Sequence, residues 1–189
     1  KNCYDIKDFY FNLNISSRNT TVIDTKINTA FIGGGKEAWI NTNVNTTFLN
    51  VTFTEANVQV LAGSNLSVQY YVIVNVTNAS GTGALQGANV SIGNSTHLLW
   101  STNTNGTTDA SGFARFNVTE RMIFNGGNFN FSYVVNASVL GNSSSNLSFD
   151  PVVSSGTQYV HLSVTAVVLS DTTAPVVNLL SPGNASTVT

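Results

Sequence analysis

Charge is the scarcest property of this chain. Asp, Glu, Lys and Arg make up 8% of its 189 residues, against roughly 25% in ordinary soluble domains, and the net charge is −2. Seven Lys and Arg build no basic patch, which excludes a nucleic-acid partner and argues against anionic membrane surfaces. The acids (Asp5, Asp8, Asp24, Glu37, Glu55, Asp109, Glu120, Asp150, Asp171) are scattered. Apart from Asp5 and Asp8, none are spaced like the paired carboxylates of glycoside hydrolysis, and none form an acidic calcium loop. The histidines His97 and His161 stand among Ser and Thr and read as surface rather than as base or metal ligand. One cysteine, Cys3, leaves no internal disulfide, only an unpaired thiol or a bridge to another chain. The glycines at 33–35 lack the following Lys-Ser/Thr of a phosphate loop and read as a turn. No run approaches the roughly 18 apolar residues of a membrane span, so no membrane insertion is expected. With no Met start or signal peptide visible at Lys1, the chain reads as a processed or excised piece of a secreted protein.

Helical periodicity is also nearly absent, and two-residue alternation takes its place. Phe9, Phe11, Leu13 and Ile15 share one face of a first strand, with Tyr10, Asn12, Asn14 and Ser16 on the other. Leu66, Val68, Tyr70, Val72, Val74 and Val76 then alternate with Ser67, Gln69, Tyr71, Ile73, Asn75 and Thr77. Further strands are expected at 49–53, 88–92, 98–100, 113–119, 128–139, 146–149 and 159–169. With 42% hydrophobic residues the chain can bury one good core, or one plus a smaller module.

What the chain has in excess is asparagine in Asn-X-Ser/Thr, the acceptor for N-linked sugar outside the cytoplasm. The sites are Asn14, Asn19, Asn45, Asn50, Asn65, Asn75, Asn78, Asn89, Asn94, Asn105, Asn117, Asn130, Asn136, Asn142, Asn146 and Asn184. Composition predicts about six such tripeptides, not sixteen. On a strand, Asn and Ser/Thr fall on one face while X points the other way. In Asn50-Val51-Thr52, Asn75-Val76-Thr77, Asn117-Val118-Thr119 and Asn130-Phe131-Ser132, X is large and apolar. One tripeptide thus writes both the core face and the sugar face. Asn130 and Asn136 are expected outward on a single strand, with Phe129, Phe131, Tyr133 and Val135 packing inward. Trp39, Trp100, Tyr70 and Tyr71 could stack on sugars, but strand aromatics are more often core.

Three segments follow from the turn signals: 1–60, 61–170 and 171–189. In the first, the units beginning at Ile23 and Ile40, echoed at Leu49, resemble closing rungs of parallel β-solenoids, although their spacing is irregular. In the second, about seven strands suit an immunoglobulin-like sandwich. Gly87-Ala88-Asn89-Val90, followed by Thr108-Asp109-Ala110-Ser111-Gly112-Phe113-Ala114-Arg115-Phe116, resembles the signature of invasin-like, Cna-B-like and carboxypeptidase-regulatory-like surface modules. Asp109 and Gly112 would make its tight turn, with Ala114, Phe116 and Val118 returning to the core. Some Cna-B-like modules carry a Lys-Asn isopeptide bond, but Lys1, Lys7, Lys26 and Lys36 all precede the sandwich. The third segment, with Val176, Val177, Leu179 and Leu180, resembles the linker and opening strand of a further Ig-like domain.

The expected fold is therefore all-β: an Ig-like β-sandwich, a smaller N-terminal β segment and a C-terminal extended strand. The resemblance implies stalks and surface fibres, though a fold alone does not fix function. The expectation is a structural subunit of an extracellular, N-glycosylated filament, pilus or surface layer, of archaeal style. It would be joined head-to-tail to identical subunits by donation of the strand 9–15 or 176–180. No catalytic residue, metal or cofactor is expected beyond covalent N-glycans, and other cells or surfaces are further expected partners. The alternative is an adhesin or carbohydrate-binding module of a larger secreted protein. A third reading is the accessory part of a polysaccharide-processing enzyme.

Overall fold

Pairs of apolar residues set between Asn, Thr and Gly favour short strands with sharp corners, and long alternating runs favour long ones. A computed structural model describes residues 13–27, 36–94, 104–140, 142–149 and 157–165, with 145–149 by backbone alone. Phe9, Phe11, Val176, Val177, Leu179, Leu180 and Asn184, with the rest of 171–189, lie outside the described residues, as do Cys3, His97 and Trp100.

The strands are β1 (Leu13–Ile15), β2 (Thr20–Ile23), β3 (Ala38–Ile40), β4 (Asn45–Leu49), β5 (Val58–Val60), β6 (Asn65–Asn78), β7 (Asn89–Asn94), β8 (Thr104–Thr107), β9 (Phe113–Phe124), β10 (Gly127–Asn130), β11 (Tyr133–Val139), β12 (Asn142–Phe149) and β13 (Gln158–Val164). A single turn of 3-10 helix, Glu55–Asn57, is the one helical element among the described residues. The protein is an all-β sandwich with a smaller N-terminal β segment.

The N-terminal strands are parallel and stacked as coils. β1, β3 and β5 form one parallel sheet, while β2, β4 and the start of β6 form a second. A bridge between Lys26 and Thr52 marks a third side. Ile15, Ile40 and Val60 stack in one column, and Val22, Phe48 and Val68 in another. Each column buries its apolar side chains inside the coil, at the roughly 4.8 Å strand spacing. Ile23 stacks on Leu49, not on Ile40, so the sequence units beginning at Ile23 and Ile40 are not equivalent. The reason is that Ile40 ends one side of a coil, whereas Ile23 and Leu49 end the next side.

The corners need left-handed backbone. Asp24 and Asn50 occupy one corner with φ of 50° and 53°, and Asn43 and Gly63 occupy another with φ of 60° and 74°. Asn tolerates this region through local side-chain bonding. Across the first corner the Asn50 amide donates to Asp24 Oδ1 at 2.7 Å, tying adjacent coils together.

The third coil has no such corner after Gln69. Tyr70 continues in extended conformation, so β6 runs on for 14 residues. Its first half completes the coils and its second half enters the sandwich, which places the boundary expected near residue 60 just ahead of a strand common to both cores. β9 runs antiparallel along one edge of β6 from end to end. Along the other edge, β4 lies beside Asn65–Gln69 and β13 lies parallel beside Val72–Asn78.

A second sheet, in the order β12-β11-β7-β8, packs on the β9-β6-β13 sheet. Val72, Val74, Val76, Val90, Ile92, Phe116, Tyr133, Val135 and Leu162 fill the space between them. The expected single strand 128–139 is two strands. β10 pairs with β9 in the first sheet, and after Phe131 and Ser132 the chain crosses to β11 in the second. Phe129 consequently does not pack inward: it is 41% exposed and leans on Phe124 at 5.1 Å. Phe131, Tyr133 and Val135 are buried as expected.

The turn at 109–112 follows the sequence reading. Asp109 Oδ1 accepts the Ser111 and Phe113 amides at 2.8 and 3.0 Å, and Gly112 has φ of 79°. A Cβ on Gly112 would come within 2.7 Å of the Val76 carbonyl oxygen. Gly112→Ala is therefore expected to cost about 1–2 kcal/mol from backbone strain and crowding, read as a lower midpoint in urea. An unchanged midpoint would reject this account of the turn.

Candidate glycan-bearing surface

The sequon geometry follows from strand alternation. Val51, Val76, Val118 and Phe131 are all buried, and the asparagines before them point outward. The same holds for Asn14-Ile15, Asn65-Leu66, Asn89-Val90 and Asn136-Ala137. Asn14, Asn19, Asn45, Asn89, Asn105, Asn117, Asn130 and Asn136 are exposed, and Asn50, Asn65, Asn75, Asn78 and Asn142 are half-buried. Asn146 lies in β12, described by backbone only.

Two sites are unsuited to sugar. Asn94 is 7% exposed at the end of β7, so a linked sugar would have to be accommodated in the interior. Asn78 organises the turn after β6: its Oδ1 accepts from Gly83 N at 3.1 Å and from the Ser80 hydroxyl at 2.8 Å. Its Nδ2 lies so close to Gly83 that a Cβ there would approach it within 2.6 Å. Glycopeptide mass spectrometry is expected to find sugar on Asn117, Asn130 and Asn136 and none on Asn94 or Asn78. Full occupancy of Asn94 in folded protein would contradict the placement.

The sites cluster by face. On the outside of the β12-β11-β7-β8 sheet, Asn136 pairs with Ser91, and Ser91 with Asn105, so two sequons lie about 10 Å apart across one row. Asn89 is in the neighbouring row beside Ser138 and Thr107. These residues line a shallow depression with Gly106 and Ser143, a surface of amides and hydroxyls without a titratable group. In the coils, Asn45 and Asn65 are register partners on adjacent parallel strands, with an amide contact of 3.4 Å.

The opposite outer face, on β9-β6-β13, is different. Tyr71 is held by Asp24 Oδ2, which accepts its hydroxyl at 3.2 Å, and by the Arg115 guanidinium 3.7 Å from its ring centroid. Tyr70 is buried and Trp39 half-buried, so neither offers an open platform. The exposed aromatics of this face are Phe113 and Tyr159, which strand alternation alone did not single out. His161 lies on the polar face of β13, as expected, with its Nε2 3.0 Å from Thr77 Oγ1.

Among the described residues no group of three or more His, Cys, Asp and Glu could hold a metal ion. Three ionisable groups, Glu55, Glu120 and Arg121, meet where the coils join the sandwich. Arg121 bonds Glu55 directly and approaches Glu120 Oε1 at 3.3 Å. The cluster is not legible in the sequence because Glu55 lies 66 positions from Arg121 and only the fold brings them together. Among the described residues no helix is long and apolar enough to cross a membrane. Compared with known proteins, the chain matches no protein-family model and no curated protein.

Proposed function

We propose that this chain is a structural subunit of an extracellular, N-glycosylated surface assembly, a filament or layer, and not an enzyme. The observation that carries the reading is the coincidence of sequon and pleat: asparagine after asparagine points outward while the residue following it is core. Sugar on such faces supplies the hydration that an 8% charged surface lacks, and blunts sheet-to-sheet stacking. The resemblance of the sequence around 87–116 to Ig-like surface modules supports the reading. Leu13 and Ile15, expected to belong to a donated strand, pair and pack within their own chain through β3. Donation to an identical subunit is part of the proposal, by the segment with Phe9 and Phe11 or by the tail segment with Val176, Val177, Leu179 and Leu180, all outside the described residues. Electron microscopy of native material together with intact-mass analysis tests the reading: glycosylated polymers are expected, and sugar-free monomers would reject it. A second reading, a sugar-binding module, is favoured by the exposure of Phe113 and Tyr159 and is tested by titrating the sugar-free chain with free oligosaccharides.

A further inference from the structure

Four large apolar side chains are exposed among the described residues: Phe113, Phe129, Leu140 and Tyr159. Two of them flank one sequon. On the outer face of the β9-β6-β13 sheet, Asn75 of β6 pairs in register with Phe113 of β9 on one side and His161 of β13 on the other. Tyr159, two residues before His161, is one row away beside Ile73. In-register side chains have Cβ atoms about 5 Å apart and diagonal ones about 7 Å, within reach of an aromatic ring. The His161 bond to Thr77 draws the imidazole toward the next row, leaving that flank of Asn75 to Tyr159. Phe113 is 38% exposed and Tyr159 72% exposed, so neither is explained by the core.

We propose that this face cradles the first sugar of an N-glycan on Asn75, with the C–H face of the pyranose against Phe113 and Tyr159 closing the other side. The proposal rests on the glycosylated reading above and names one occupant, the chain's own sugar. A pyranose presents apolar C–H groups on a face and hydroxyls around its rim. That pattern fits an aromatic surface bordered by polar groups, here the exposed Arg115, His161 and Ser163. The contrast lies on the other sheet, where Asn89, Asn105 and Asn136 are surrounded by amides and hydroxyls with no aromatic neighbour among the described residues of their rows. Sugars there extend into solvent.

The test uses the chain made in an N-glycosylating host, with Phe113→Ala, Asn75→Gln and the double variant. Phe113→Ala is expected to lower Tm by about 2–4 °C more in the glycosylated parent than in the Asn75→Gln background. The cycle cancels whatever Phe113 contributes to the bare sheet. Independently of stability, NMR of the glycoprotein is expected to show ring-current shifts on C–H protons of the Asn75 sugar, lost in Phe113→Ala and absent from the Asn136 sugar. Additive Tm effects with unshifted protons on an occupied Asn75 would overturn the inference and leave the glycosylated reading standing. So would a bare Asn75 beside occupied Asn117 and Asn136. Bare asparagines throughout would overturn both. Free oligosaccharide bound by the Asn75→Gln chain and lost on Phe113→Ala would assign the face to an outside ligand and overturn self-docking.

Discussion

A Phe48→Ala chain is expected to lose about 3–5 kcal/mol of stability, a fall in Tm of roughly 10 °C, and to lose it in a single transition. Phe48 is 0% exposed at the centre of the middle coil. It stacks in register between Val22 and Val68 and meets Phe53 edge-on at 5.4 Å and 78°. Parallel coils are held apart by their own ladders at about 4.8 Å, so neighbouring strands have little freedom to collapse into the space a benzyl group leaves. The effect spreads because β6 belongs to both cores. Leu66, Val68 and Tyr70 pack in the coils, and Val72, Val74 and Val76 of the same strand pack in the sandwich. Losing order in the first half of β6 removes backbone partners from β9, which runs past both cores. Urea unfolding followed by tryptophan fluorescence and by circular dichroism measures this. Two separated transitions, with the later one unmoved by the substitution, would show that coils and sandwich fold independently despite their common strand.

The difference between what was legible and what was not comes down to how local each determinant is. The alternation from Leu66 to Val76 reads directly as a strand with one buried face, because a one-residue slip would expose every apolar side chain. The turn at 109–112 reads equally well, since Asp109 and Gly112 carry its geometry within four residues. Coil register is less local. Leu13 pairs with Ala38 and Ala38 with Val58, offsets of 25 and then 20 residues, so no fixed period marks the repeat. A usable signal was present in Asn19-Thr20-Thr21-Val22, Asn45-Thr46-Thr47-Phe48 and Asn65-Leu66-Ser67-Val68, whose strand residues stack in register. The units beginning at Ile23 and Ile40 resemble each other more closely, yet they end different sides of the coil. At 128–139 an unbroken alternation concealed a change of sheet, because Phe131 is buried whichever sheet the following residues join.

The outward aromatics show the same limit. Phe113 opens β9 immediately after a turn, and alternation with the core residues Ala114, Phe116 and Val118 places it outward without saying what it faces. Only the pairing with Asn75 gives its exposure a meaning. The outward placement of the sequon asparagines was legible because sequon and pleat share a two-residue step, and the grouping of Phe113, Asn75 and Tyr159 was not, because its members come from three strands far apart in the chain.

Stability is expected to fall as pH rises from about 5 to 8, and Glu120→Gln is expected to abolish most of that fall. β9 carries a bulge at this residue: Val68 pairs with Arg121 and Gln69 with Thr119, leaving Glu120 between them. The side chain is 3% exposed, and its Oε2 has no hydrogen-bond partner among the described residues. Arg121 stands 3.3 Å from Oε1, long for a charge-assisted bond, and its guanidinium is shared with Glu55, whose Oε1 accepts from Asn128 at 3.0 Å. Desolvation wins, and burial pushes the Glu120 carboxyl from 4.5 up to about 7. Between those values the folded chain holds a proton that the unfolded chain has released, so unfolding releases a proton and higher pH favours it. The penalty is absent below the unfolded value, grows to about 2–3 kcal/mol as pH passes the folded value, and then levels off. Glutamine keeps the shape and cannot ionise, so Glu120→Gln should match the parent near pH 5 and exceed it by about 2 kcal/mol at pH 8. Urea midpoints of both proteins at the two pH values decide the matter. The other carboxylates are common to both proteins, so parallel profiles would mean that Arg121 keeps Glu120 charged throughout and that the joint between coils and sandwich is an ion cluster.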